Sequence, residues 1–116
     1  MSEFDNKTVV VTGAAGALGQ AVANIFHTSG ARVIGVDVVA FDAAYEMRQA
    51  DLIDPEGAAL VVESVGAIDI LANIAGGFTM GDSVADTSDE TWDFMFNLNT
   101  RTVLNMARAV VPGMVE

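Results

Sequence analysis

The stretch Thr12-Gly13-Ala14-Ala15-Gly16-Ala17-Leu18-Gly19 constrains this chain more than any other. It follows the apolar run Val9-Val10-Val11 and leads into a pattern of helical period, so it reads as the turn between a first strand and a first helix. Glycine adopts backbone angles that a side chain forbids and lets the main chain approach a ligand closely. Gly13 suits the sharp exit from the strand, Gly16 the point nearest a pyrophosphate, and Gly19 the contact of helix with sheet. The free N–H groups and positive dipole end of the helix then favour a diphosphate. Glycines at this spacing also occur where small residues serve packing alone. Asp37 favours a dinucleotide site: it ends the next strand, about where an acid that binds a ribose 2′-hydroxyl is expected. Its alternative is a solvated turn aspartate.

The rest of the chain alternates strand and helix. Lys7 to Thr12 is β-branched and apolar, as in a strand covered on both faces. Leu18, Val22, Ile25 and Phe26 share a helical face that stops at Gly30. Residues 31–37 form a second strand, 38–45 carry at most a short helical turn, and 47–52 form a third strand. Asp54-Pro55-Glu56 opens a helix that runs to about Val65 and ends near Gly66. Residues 68–75 form a fourth strand, followed by a loop with Gly76, Gly77 and Gly81.

Thr87 and Glu90 fit a capping box ahead of a helix with Trp92, Phe94, Met95 and Leu98. A second helix with Val103, Ala107, Val110 and Met114 on its apolar face follows after a break at 97–99. These elements predict an α/β fold: a Rossmann-like, doubly wound parallel sheet in the order 3-2-1-4 with helices on both faces, one domain over residues 1–116. Gly13, Asp37, Asp51 and Asn73 then converge at the carboxyl ends of the strands, where such sheets bind ligands.

Composition excludes several classes. The net charge is −11, and the five basic residues, Lys7, Arg32, Arg48, Arg101 and Arg108, are scattered, which argues against nucleic acid and against an anionic membrane surface. With no cysteine there is no disulfide, thiolate nucleophile or cysteine-bound metal. Met1-Ser2-Glu3-Phe4-Asp5 lacks the basic and apolar parts of a secretion signal, and no apolar run reaches about eighteen residues. A cytoplasmic location is the simplest expectation. Asp82, Asp86, Asp89 and Glu90 read as a solvated acidic surface rather than a metal site, and His27 as a helix-end residue.

Thr-Gly-x-x-x-Ala-x-Gly at 12–19, Asn73-Ile74-Ala75-Gly76, and the run from Trp92 through Asn99 to Pro112-Gly113-Met114 together resemble the short-chain dehydrogenase/reductases. The likeness covers essentially the whole chain and is to the first half of such an enzyme, truncated before the later strands. It implies an NAD(P)-dependent oxidoreductase acting on an alcohol/ketone pair. The cofactor contacts it implies are Gly13, Ala15, Gly16, Ala17, Leu18, Gly19, Asp37, Asp51, Leu52, Asn73, Ala75 and Gly76. Asp51 and Leu52 are similar to the family's adenine-binding pair, the alternative being a helix-capping aspartate. Asn73 stands beside the adenosine ribose or simply closes a strand. Asn99 matches one member of the family's catalytic set, an asparagine that holds a helix break and anchors a water of the proton relay.

Asp37 would repel the 2′-phosphate of NADP, and Val38 and Val39 supply no cation to bind it, so NAD is the expected cofactor and NADP the weaker one. The family's serine and Tyr-x-x-x-Lys have no counterpart here. Tyr45 is followed four residues on by Gln49, and Lys7 is equally misplaced. The resemblance therefore implies a chain inactive alone, homo-oligomeric through its C-terminal helix. A non-catalytic dinucleotide-binding or partner-association module remains the alternative, as does another doubly wound nucleotide domain such as a methyltransferase.

Overall fold

Three valines in succession, Val9 to Val11, are fully buried, because their strand is covered on both faces and flanked on both sides. The computed structural model describes residues 3–116; Met1 and Ser2 of the N-terminal segment read above lie outside them. Among the described residues, β1 (Thr8–Thr12), β2 (Arg32–Asp37), β3 (Glu46–Gln49) and β4 (Ile70–Asn73) form one parallel sheet in the order β3-β2-β1-β4. This is the predicted order.

Alternation along the strands sorts side chains into two layers. Val9, Val11 and Val33 pack with Ala23 of α1 (Ala17–Thr28). Val10, Ile34 and Val36 face the other way, onto Ala58, Val61 and Val65 of α2 (Pro55–Val65) and Met106 and Val110 of α4 (Thr102–Met114). Asp54 caps α2 as expected, its Oδ1 accepting from Glu56 N at 3.0 Å, and Gly66 ends that helix at φ +87°. Between β4 and α4 lie a 3₁₀ turn (Val84–Asp86), α3 (Asp89–Phe96) and a π-helical turn (Asn97–Arg101), which is the form taken by the expected break. No helix of the described residues is long and apolar enough to cross a membrane.

Several local expectations are corrected. The third strand spans Glu46–Gln49 rather than 47–52, since β2 ends at the paired Asp37 and Ala50 N closes the ladder by donating to Asp37 O at 3.0 Å. β4 is shorter than 68–75 because the N–H groups of Ile74 and Ala75 turn to the Thr12 hydroxyl. Residues 38–45 form no helical turn: Val39 N donates to Asp37 Oδ1 and Val38 O accepts from Gln49 Nε2, so side chains take the bonds a helix would use. Ser88, not Thr87, caps α3, accepting from Thr91 N at 3.1 Å, while the Thr87 hydroxyl donates to Ser83 O. The buried face of α4 is Thr102, Asn105, Met106 and Val110, leaving Val103 and Met114 exposed.

Candidate functional site

A cleft of about 340 Å³ opens at the carboxyl ends of the strands. Of the residues expected from the sequence, Gly13, Asp37, Asp51, Leu52, Ala75 and Gly76 line it. Phe94, Leu98 and Thr102, from the run of α3, the π-turn and α4, also line it, and sequence reasoning missed them.

The glycine turn divides by cause. Gly13 stands at φ +69°, and a Cβ there would lie 2.8 Å from the Ala75 backbone. A Cβ at Gly19 would collide with the Gly13 carbonyl. Both are required by the fold itself. Gly16 is different: its φ of −79° suits any residue, and a Cβ would come no closer to its neighbours than 3.5 Å. Nothing inside the protein requires glycine there, so the space it leaves open is on the solvent side. Gly16 also precedes α1 without a side-chain cap, and the first turn of that helix carries no acidic residue. Among the described residues no carboxylate bonds to the N–H groups of that first turn, around which Ala17 and Leu18 are exposed.

Asp37 points into this turn. Its Oδ2 accepts from Ala15 N at 3.0 Å and its Oδ1 from Val39 N at 3.1 Å. A carboxylate offers about four acceptor positions, so two bonds fix the group and leave capacity for a diol. Among the described residues the cleft lining holds two carboxylates, Asp37 and Asp51, and no lysine or arginine.

Asp51 is exposed and its Oδ1 accepts from Ile53 N at 3.0 Å, while Leu52 belongs to the buried core and also lines the cleft. Asn73 ends β4, exposed and outside the cleft lining. Asn99 is fully engaged: its Nδ2 donates to Gly77 O and Met95 O, both at 2.9 Å, and its Oδ1 accepts from Gly77 N at 3.0 Å. It thus ties the loop after β4 to the π-turn, and a Cβ on Gly76 would lie 2.5 Å from its Oδ1. Thr12, seen at first only as part of the glycine motif, accepts from both Ile74 N and Ala75 N at 3.1 Å and sets where the chain leaves β4.

Other titratable groups lie elsewhere. Tyr45 packs on the α1 side of the sheet, 5.8 Å from the His27 ring, and burial raises its phenol above the ordinary value. Lys7 precedes β1, at the opposite end of that strand from the cleft. Asp86 accepts from the Ser83 hydroxyl, and no three His, Asp or Glu among the described residues are placed to hold a metal ion.

A parallel sheet wound in this order, with its cleft beside a glycine turn and an acidic second-strand end, defines a nucleotide-binding doubly wound domain. Residues 7–116 match the family described as short chain dehydrogenase, and the chain belongs to that family of oxidoreductases. The short chain dehydrogenase ausX of Emericella nidulans is 34% identical over 119 residues, covering 93% of this chain and 60% of that protein. Oxidoreductase UcpA of Escherichia coli is 32% identical over 130 residues, covering 99% and 49%. The chain thus spans about half the length of most of the curated relatives it matches. Among solved structures, the aldohexose dehydrogenase of Thermoplasma acidophilum superposes with a TM-score of 0.90 at 25% identity, covering 98% of this chain and 46% of that one. A short chain dehydrogenase/reductase family protein gives 0.89 at 26%, covering 97% and 52%.

Proposed function

We propose that this chain is the NAD-binding part of an oxidoreductase that interconverts an alcohol and a ketone. The observation that carries the reading is that Asp37, which lines the cleft with Gly13, is bonded to the glycine turn, whose Gly16 has an open face and leads into the uncapped start of α1. The fit is chemical: N–H donors and a dipole for a diphosphate, a fixed acceptor for a ribose diol, and an apolar slot for a base. Bound nicotinamide dinucleotide supplies the hydride chemistry. The chain's own part is to hold it: Gly13, Ala15, Gly16, Ala17, Leu18 and Gly19 at the diphosphate, Asp37 at the ribose, Asp51 and Leu52 at the base, and Asn73, Ala75 and Gly76 along the β4 exit. Asn99 fixes the helix break beside that exit.

Reduction of a carbonyl needs a proton donor at the developing alkoxide, worth about 10² to 10⁴ in rate. Among the described residues the cleft lining offers no tyrosine, lysine or histidine, so the chain is proposed to be inactive without a partner segment that supplies one. A homo-oligomer built on α4 accompanies this reading.

Discrimination follows from charge. A 2′-phosphate would be set against the Asp37 carboxylate with no cation in the lining to offset it, a juxtaposition that costs up to several kcal/mol. Isothermal titration should show NADH bound at least about tenfold more tightly than NADPH, with the preference lost in Asp37→Ala. Tighter binding of NADPH by the unaltered chain would refute the assignment of NAD. No heat with either dinucleotide on folded protein would refute the site.

A further inference from the structure

Asn105 is buried at 3% exposure on the inner face of α4, and its side chain leaves that helix to hold a distant loop. Its Nδ2 donates to two successive carbonyls, Leu52 O at 2.9 Å and Ile53 O at 3.0 Å. Its Oδ1 accepts from Arg108 Nη2 at 2.8 Å. Arginine can only donate, so this last bond fixes which end of the amide faces the carbonyls. Neither carbonyl has another partner among the described residues.

The loop so held lines the cleft with Asp51, whose Oδ1 accepts from Ile53 N, and with Leu52 and Ile53. Ala50 N is the last group bonded to β2 and Asp54 the cap of α2, so residues 51–53 lie between ladder and helix. The amide of Asn105 holds them from α4, beside the buried Leu52 side chain. Two N–H donors at one short side chain's reach are needed; a carboxylate would face two carbonyl oxygens, and an aliphatic chain would leave both unpaired.

We propose that Asn105 is a positioning residue for base recognition: through the Leu52 and Ile53 carbonyls it sets the Asp51 carboxylate and the Leu52 N–H against the adenine ring. The proposal rests on the dinucleotide reading above. Adenine presents an exocyclic amine to an acceptor such as Asp51, whereas hypoxanthine presents a carbonyl oxygen at the same place. NADH should therefore bind about tenfold more tightly than its hypoxanthine analogue.

The test measures both affinities by calorimetry on the unaltered chain, Asn105→Leu and Arg108→Leu, with far-UV circular dichroism to confirm folding. A loosened loop lowers the preference itself: the ratio should fall toward one in Asn105→Leu and by about threefold in Arg108→Leu, which leaves the Asn105 side chain in place. A role confined to packing would weaken both ligands in parallel and keep the ratio, which would overturn the assignment. If Asn105→Leu does not fold, Arg108→Leu alone decides, an unchanged ratio again being negative. Equal binding of the two dinucleotides by the unaltered chain overturns the assignment while leaving a dinucleotide site. Binding of neither overturns the site and the assignment together.

Discussion

Thr12 shows how much one hydroxyl can organise. It is 1% exposed, and as the last residue of β1 it accepts from two backbone N–H groups of the segment leaving β4. Those groups have turned away from the ladder, so without the hydroxyl they would be part-buried donors lacking an acceptor, at up to roughly 1–3 kcal/mol each where water does not reach them. Thr12→Val keeps the shape and removes the acceptor. We expect it to lose about 2 kcal/mol in urea denaturation, against about 1 kcal/mol for Thr12→Ser, which sheds only a methyl group. Equal losses would mean that the hydroxyl does not pin the exit. Asn105 plays a comparable part on the other wall, and neither role was legible in the sequence. Thr12 looked like a motif letter and Asn105 like a helix residue, because their partners lie 62 or 63 and 52 or 53 residues away.

At the scale of elements, the glycine turn separates folding from binding. Gly19→Ala would drive a methyl group into the Gly13 carbonyl, so it should cost about 1–3 kcal/mol of stability by overpacking. Gly16→Ala meets only a contact at 3.5 Å and permitted angles, so its stability should stay within about 1 kcal/mol of the parent. Its NADH affinity should nevertheless fall at least about tenfold, because the added methyl group occupies the face proposed to receive the diphosphate. Urea denaturation and calorimetry on the same two variants check both halves; tight binding by Gly16→Ala would place the diphosphate elsewhere. The strands and the sheet order were legible because a run such as Val9-Val10-Val11 is specified by its own burial. Strand ends were less so, since β3 stops where β2 stops and β4 stops where Thr12 intervenes. The cap of α3 falls one residue beyond the expected Thr87 because the Thr87 hydroxyl donates to Ser83 O. Of the cleft, the strand-end wall followed from topology. The wall of Phe94, Leu98 and Thr102 did not, since only tertiary packing brings that helical run across the sheet.

The molecule as a whole leaves one side uncovered. β4 pairs with β1 along one edge, and along the other no strand of the described residues meets it. Beyond it α3 has no buried residue, Trp92 is 67% exposed, and Val103, Leu104, Val111 and Met114 form an exposed apolar stripe along α4. Apolar side chains at roughly helical spacing, next to an open sheet edge, are the features by which chains of this kind associate. Net charge opposes it: each copy carries −11, so two copies repel at low salt. The two effects have opposite salt dependence, because screening weakens the repulsion and leaves apolar burial intact. We therefore expect light scattering to give a mass above that of one chain, rising as sodium chloride goes from about 20 mM to about 500 mM. Leu104→Glu with Val111→Glu should return the chain to a monomer without loss of helical signal, since both positions are exposed and neither lines the cleft. A monodisperse monomer of the unaltered chain at both salt concentrations would show that the stripe on α4 is not an interface between copies.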